Sequence, residues 1–382
     1  MTTQAFLATN ENKIKEELLT LVKAESPSHD SQLLKECELV IKDIFHNHFA
    51  DRFTLQEFSS EGNGTHLLYE IKEDSKPRIL LMSHYDTVWN QGELQLSEEG
   101  DTIYGPGIFD MKAGLISSIW AIDSLLNTEQ ELPFSPVFLF TADEETGSRT
   151  SKELIETVAK TCDAVFVMEP PEAQTNALKT ERKGVGMYEI EVTGKSAHAG
   201  NHHEDGINAI VELAKLIVKI EGLTDYSRGT TVNVGTIRGG STSNVVPEKA
   251  KIEVDFRITS AEEAQRLEQV FEALTAEDDR VSLSITGGTN RPPLEKNDNN
   301  KQLFELAKLA GEKLGMTITE SSVGGGSDGN FTSPLGIPTI DGLGIPGDGA
   351  HARNEHILFN LFTEKCAFVA ELCMEVGKAK NN

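Results

Sequence analysis

Six side chains able to bind a metal or move a proton stand where apolar runs end: His84, Asp110, Glu144, Glu145, Glu169 and His351. Imidazole nitrogen and carboxylate oxygen suit zinc, and cobalt or manganese can take its place. Two histidines and three carboxylates would serve a pair of divalent ions sharing one bridging carboxylate. Such pairs stand roughly 3.5–4 Å apart and clamp a nucleophilic water. One carboxylate is then left over. Hydrolysis needs a base that takes the proton of the water and returns it to the leaving amine, work that a spare glutamate can do. Asp86, two residues after His84, is placed to hold the second nitrogen of that imidazole. Singly, each residue has a plainer reading: His84 as a satisfied polar residue, Asp110 as a helix N-cap, the Glu144–Glu145 pair as a complement to a helix dipole. Recurrence sets them apart, because three successive apolar strands end in an imidazole or an acid.

Those strands are residues 77–82, 137–142 and 164–168, too short for helices and largely apolar, as in a buried parallel sheet. Ligand chemistry in open α/β sheets gathers beyond the carboxyl ends of the strands. Helical periodicity covers residues 14–24 and 31–49, and the spacing predicts that His46 and His48 belong to a solvated helix end. Residues 53–58 and 65–71 read as strands, and a glycine-rich run from Gly105 to Gly114 enters an apolar helix over 115–126. From residue 183 the texture changes. Strands over 185–192, 230–237, 249–258 and 281–286, with helices over 206–220 and 261–274, follow the β-α-β-β-α-β order of a ferredoxin-like sandwich. The chain therefore divides into an α/β domain (1–182 and 291–382) and an inserted domain (183–290). The second part of the α/β domain carries a helix over 301–314, the Gly324–Gly329 loop, the run from Gly347 through His351 to Glu355, and a helix over 359–376.

The chain has 382 residues, 35 of them basic and 61 acidic, a net charge of -26. That balance argues against nucleic acid or an anionic membrane as partner, and an anionic substrate would need cations supplied locally. Cys37, Cys162, Cys366 and Cys373 lack C-x-x-C spacing and read as buried thiols. No signal-peptide pattern opens the chain and no apolar run has the length of a membrane span, so the expected location is the cytoplasm.

His84-Tyr85-Asp86, Gly107-Ile108-Phe109-Asp110-Met111-Lys112, Asp143-Glu144-Glu145-Thr146-Gly147, Ser196-Ala197-His198-Ala199-Gly200 and Gly349-Ala350-His351 resemble, in order, the motifs of one family. It is the di-zinc family of glutamate carboxypeptidases and aminoacylases, with acetylornithine deacetylases and succinyl-diaminopimelate desuccinylases. The resemblance implies a zinc-exopeptidase-like α/β domain with a mostly parallel sheet, and an inserted ferredoxin-like domain that serves as lid and dimer interface. His84 and His351 would each hold one ion, Asp110 would bridge them, and Glu145 and Glu169 would complete the two sites. Glu144 would be the general base, Asp86 would orient His84, and the peptide after Asp110 would be cis. His198 would reach across a homodimer to polarise the scissile carbonyl. Asn244 and Arg257 match substrate-binding positions, a guanidinium being suited to a carboxylate. The amides of Gly325, Gly326 and Ser327 could cradle the same carboxylate. The run from Gly324 to Phe331, with Glu169, is most similar to the glutamate carboxypeptidase branch. The implied activity is zinc-dependent cleavage of an amide next to a free carboxylate, in an N-acyl amino acid or short peptide. The alternatives are an N-deacylase of acetylornithine or succinyl-diaminopimelate type and, more remotely, an inactive binding relative. An inactive relative should lack a ligand or the base, and none is missing.

Overall fold

The structure is a computed structural model that describes residues 1–59, 62, 64–71, 76–129 and 131–381. Two compact units emerge: one from residues 1–181, 296–323 and 327–382, the other from residues 182–295 and 324–326.

The first unit opens with helices Thr3–Thr9 (α1), Glu11–Lys23 (α2) and Ser31–Phe49 (α3). Strands Thr54–Ser59 (β1), Thr65–Glu70 (β2) and Arg78–His84 (β3) follow, then helix Ala113–Thr128 (α4) and strand Ser135–Thr141 (β4). Helix Lys152–Ala159 (α5) leads to strands Ala164–Val167 (β5) and Leu178–Arg182 (β6). The second unit holds strand Gly184–Thr193 (β7), helix Ala209–Glu221 (α6), strands Thr231–Gly239 (β8) and Lys249–Ile258 (β9), helix Ala261–Glu272 (α7) and strand Ser282–Arg291 (β10). The chain then returns to the first unit as helix Asp298–Lys313 (α8), strands Glu320–Val323 (β11) and Thr339–Asp341 (β12), and helix Phe362–Asn381 (α9).

The eight-stranded sheet runs β1-β2-β4-β3-β5-β12-β6-β11. Its middle, β4-β3-β5-β12, is parallel, whereas β1, β2 and β6 pair antiparallel to their neighbours. Alternation along each strand divides the apolar residues between two cores, because successive side chains leave opposite faces of the pleat. Ile79, Leu81, Phe138, Phe140 and Phe166 join the core built on α2, α3, α4 and α9. Leu80, Met82, Val137, Leu139 and Val165 join the core against α5. Helix α4 is buried along nearly its whole length, which accounts for its uninterrupted apolar run. A small second sheet joins residues 97–99, 102–104, 347–348 and 356–358. These short strands have too little apolar periodicity to be read from the sequence.

In the second unit four antiparallel strands lie in the order β8-β9-β7-β10. Alternate residues of β7 and β9 (Tyr188, Ile190, Val192, Ile252, Val254, Phe256) pack with Leu213, Leu216, Leu267 and Phe271 of the two helices. The molecule thus has the α/β class expected, with a mostly parallel sheet and a separate antiparallel one. No helix among the described residues is long and apolar enough to cross a membrane, and all four cysteines are buried and free.

The His48 side chain departs from expectation. It is only 1% exposed, with Nε2 2.9 Å from Glu17 Oε2 and Nδ1 3.0 Å from Asp123 Oδ2, the latter an ion pair outside good hydrogen-bond geometry. Trp120 donates its indole N–H to the same Glu17 oxygen at 2.8 Å. Helical periodicity in α3 alone could not show this, because both acids belong to other helices. Burial opposes the imidazolium, but Asp123 and Glu17 prevail and raise the His48 pKa above its ordinary 6.5. A raised pKa gives stabilisation that is complete below the unfolded value and is lost as pH climbs through the folded one. His48→Gln should therefore lower the melting temperature most below the ordinary imidazole pKa of 6.5 and progressively less as pH rises above it. A deficit that stays constant across that rise would refute the ion pair.

Candidate metal centre

The parallel strands deliver the reactive groups. His84 is the last residue of β3, Glu144 and Glu145 sit in the turn after β4, Glu169 lies two residues beyond β5, and the chain reaches His351 after β12. Asp110 comes from the segment between residues 107 and 113. There Gly107 has φ +67°, and a Cβ on it would meet Thr87 Cγ2 at 2.3 Å. That combination restricts the position to glycine. At Gly114, the second residue of α4, a Cβ would strike the Met168 carbonyl at 1.9 Å, so this glycine lets the helix approach the strand end that carries Glu169. The Asp110-Met111 peptide is cis. Asp110 makes no side-chain cap to α4.

The Asp110 carboxylate turns one oxygen to each imidazole. Oδ1 lies 3.2 Å from His84 Nε2, and Oδ2 lies 3.4 Å from His351 Nε2. His84 Nε2 is also 3.5 Å from Glu169 Oε1, and His351 Nε2 is 3.1 Å from Glu145 Oε2. Two half-sites result, His84 with Glu169 and His351 with Glu145, and Asp110 faces both. Glu144 belongs to the same cluster: it places an oxygen within 4.8 Å of ligand atoms of His84 and Glu169. All six groups expected from the sequence converge.

The turn with the paired glutamates is gripped from two sides. Asp86 accepts from the Glu144 and Glu145 N–H groups at 3.1 and 3.2 Å, and from the Ser28 hydroxyl at 2.8 Å. The Asp143 carboxylate accepts from Thr150 and Ser151, tying the turn to the start of α5. Asp86 also holds His84, chiefly through its backbone: the carbonyl is 3.0 Å from Nδ1, against 3.5 Å for the carboxylate. With Nδ1–H donating there, Nε2 faces the centre and can offer its lone pair to a metal once its own proton is displaced.

Glu355 was not singled out by the sequence. It is 1% exposed and accepts N–H groups from Gly107, Phe109, Asp110 and the Trp89 indole. Burial pushes Glu355 up to about 7 against the pull of its backbone donors, with the Asp110 charge adding to the rise. Protonating either oxygen would set an O–H against these donors, so the geometry favours the carboxylate form.

Four carboxylates meet two imidazoles here, and the pKa shifts express the imbalance. His351 is raised to about 11 by Asp110 and Glu145. Burial works against a charged His84, yet Asp110, Asp86 and Glu169 hold its pKa well above 6.5. Burial and the charge of Asp110 push Glu145 up to about 7. Asp110 itself is held well below the carboxylate range by the two imidazoles, despite its burial. Glu145 Oε1 is buried and accepts no hydrogen bond. Nitrogen and oxygen donors around an under-neutralised pocket, one oxygen lacking a partner, fit divalent cations well.

The second unit holds most of the remaining candidates. Residues 197–198 pair with 245–246, and Ala199 N–H donates to the Asn244 carbonyl, so the His198 loop and the Asn244 turn are neighbours. His198 Nδ1 accepts from the Gly200 and Asn201 N–H groups, both at 3.1 Å. A neutral ring accepting at Nδ1 carries its proton on Nε2, the form that can donate to an oxyanion. Arg257 is forked onto Asp255, both contacts at 3.0 Å. The cations beside the glycine loop are instead Arg182, in a basic stretch just before the inserted domain, and Arg291. Arg182 donates to the Gly325 and Gly326 carbonyls, and a Cβ on Gly326 would lie 3.0 Å from Arg291 Cδ. Ser327 corrects an expectation: it is fully buried, its N–H donates to Asn330 Oδ1 and its hydroxyl to Asp341, leaving no amide for a substrate.

Metal binding at this centre must displace imidazole protons, so affinity should rise with pH and binding should release protons. Calorimetric Zn²⁺ titration at neutral pH in buffers of different ionisation enthalpy should show net proton release approaching two per chain. Heats independent of the buffer would contradict the donor set.

Comparison with known proteins agrees with this geometry. The family model described as "Peptidase family M20/M25/M40" matches residues 80–375. Carboxypeptidase G2 of Pseudomonas sp. (strain RS-16) is 31% identical over 339 residues, 86% of this chain and 81% of that protein. Acetylornithine deacetylase of Myxococcus xanthus is 28% identical over 287 residues, 72% of each chain. The crystal structure of aminopeptidase PepT from Bacillus cereus ATCC 10987 has a TM-score of 0.77 and 25% identity, with 96% of this chain and 99% of that one covered. Strand-end chemistry, fold and matched length lead to one conclusion: the chain belongs to peptidase family M20/M25/M40 and is a metallo-hydrolase of that family.

Proposed function

We propose that this hydrolase cleaves an amide or peptide bond next to a free carboxylate, as a carboxypeptidase or N-acyl amino acid hydrolase. Its metal centre would take two divalent ions, zinc foremost. The observation that carries the reading is Asp110, with one oxygen toward His84 and Glu169 and the other toward His351 and Glu145. Bound there, the ions would supply Lewis acidity and a water acidic enough to be deprotonated at neutral pH. Glu144 is the general base. It stands beside the ligand set on a turn whose N–H groups Asp86 fixes, so that it can take a proton and later deliver it to the leaving nitrogen.

The inserted unit supplies the dimer and part of the substrate site in this reading. Strand β8 is an edge of its sheet, with Ile237 58% exposed, and the neighbouring α6 exposes Val218 at 75% and Val211 at 52%. Unpaired backbone beside apolar side chains suits association with a second copy. His198, held as the Nε2–H form, would polarise the carbonyl in the partner's site. Asn244, Arg257 and the Gly325–Gly326 backbone would contact the substrate, and Arg182 and Arg291 would concentrate positive charge for its carboxylate in a chain of net charge -26. The acetylornithine deacetylase relative supports a second reading, N-deacylation.

Glu144→Ala should keep its metal and lose roughly 10²–10⁴-fold in turnover. Loss of metal together with activity would make Glu144 a ligand. A panel of N-acyl amino acids and dipeptides, offered to protein reloaded with zinc, cobalt or manganese, separates the two readings. Substrates with a free carboxylate beside the scissile amide should be turned over fastest, and a preference for N-acetylornithine or N-succinyl-diaminopimelate would favour deacylation.

Trans action by His198 has its own test. His198→Ala and Glu144→Ala homodimers should both be nearly inactive, while a mixed dimer holds one site with both groups intact. Random re-pairing of equal amounts, with exchange verified by mass, should restore at most about one quarter of wild-type activity. No recovery after verified exchange would exclude action across the dimer.

A further inference from the structure

Asp110 and His351 lie 241 positions apart in the chain, yet both leave the same small sheet. Residues 102–104 pair with 356–358, and 347–348 pair with 356–357. The segment carrying Asp110 departs after Tyr104, and the loop carrying His351 departs after Asp348. Within that loop His351 adopts φ +59°, a left-handed conformation that costs a non-glycine residue energy unless its surroundings enforce it. The next residues turn back, with Ala352 N–H donating to Gly349 and Glu355 N–H donating to Ala352. This turn aims the Glu355 side chain at the backbone of the Asp110 segment.

Three backbone N–H groups there converge on the Glu355 carboxylate. Gly107 donates to Oε2 at 3.1 Å, and Phe109 and Asp110 donate to Oε1 at 2.9 and 3.1 Å. The Trp89 indole adds a fourth donor, on Oε2. Gly107 in its left-handed conformation helps shape this concavity of amides, a form that binds anions. One short segment therefore holds Asp110 twice: His351 faces its carboxylate, and Glu355 takes its N–H.

We propose that Glu355 is a positioning residue for the metal centre: its buried carboxylate gathers the Gly107, Phe109 and Asp110 N–H groups and the Trp89 indole, and so fixes where Asp110 stands relative to His351. This rests on the metal-centre reading above and extends it to a residue that touches none of the proposed ions. The geometry is selective. Glutamine keeps the shape but turns an amide NH2 toward N–H donors, and at least one donor loses its acceptor. Loss of such supporting contacts typically weakens metal binding by roughly 10–100-fold.

The test is Co²⁺ binding, followed by visible absorption and by chelator competition, in wild type, Glu355→Gln and Trp89→Phe. Wild type should take up two Co²⁺ per chain. Glu355→Gln should remain folded by circular dichroism, bind Co²⁺ roughly 10–100-fold more weakly at one or both sites and show an altered visible spectrum. Excess metal should restore much of its turnover. Trp89→Phe removes one donor and should shift affinity less, in the same direction; it carries the test alone if the glutamine variant does not fold. Wild-type affinity and spectrum in the folded variants, with only the melting temperature reduced, would make Glu355 a structural strut and overturn the proposal. Wild type that takes up no Co²⁺ would overturn the metal-centre reading itself, and the positioning role with it.

Discussion

One constraint governs this molecule: four carboxylates must meet around two imidazoles in a largely buried place. Like charges at such distances repel strongly where water is scarce, and only cations or protons can relieve them. The proton solution is visible in His351, raised to about 11, and in Glu145, raised to about 7. Divalent ions would relieve the same repulsion and supply chemistry as well. The price of holding the unrelieved cluster falls on the surrounding backbone, which is fixed by Asp86, Asp143 and Glu355. Each of these is itself a buried carboxylate that faces N–H or O–H donors.

The parallel strands explain why the cluster forms at all. Strands β3, β4 and β5 lie side by side and run the same way, so groups placed at or just after their ends come together although 85 positions separate His84 from Glu169. Asp110 has no such strand. It reaches the centre through a glycine-bearing segment whose amides need an acceptor, and Glu355 is that acceptor. The small sheet of residues 97–104 and 347–358 then acts as a clamp, bringing both segments from one place.

Much of this was legible in the sequence, for a physical reason. Apolar runs of strand length mark the parallel sheet, and a polar reactive residue just beyond each run marks its end, so His84, Glu144, Glu145 and Glu169 could be picked out locally. Asp110 and His351 were picked out beside them from glycine-rich runs, although no strand of comparable length leads to either. Glu355 was invisible because its partners lie 245 to 248 residues away, or 266 for Trp89. His48 failed for the same reason: α3 shows its own apolar face but not the acids of α2 and α4. Ser327 failed differently. A glycine-serine loop suggests exposed amides, and nothing local announces that Asn330 has already taken that one.

The central claim is that one carboxylate, Asp110, joins two metal sites of equal ligand type. X-ray absorption at the zinc edge of fully loaded protein tests it most directly. The account predicts a first shell of nitrogen and oxygen at roughly 2.0–2.2 Å with no sulfur, and a zinc–zinc distance of roughly 3.5–4 Å. A single isolated zinc, or a sulfur ligand at about 2.3 Å, would contradict it.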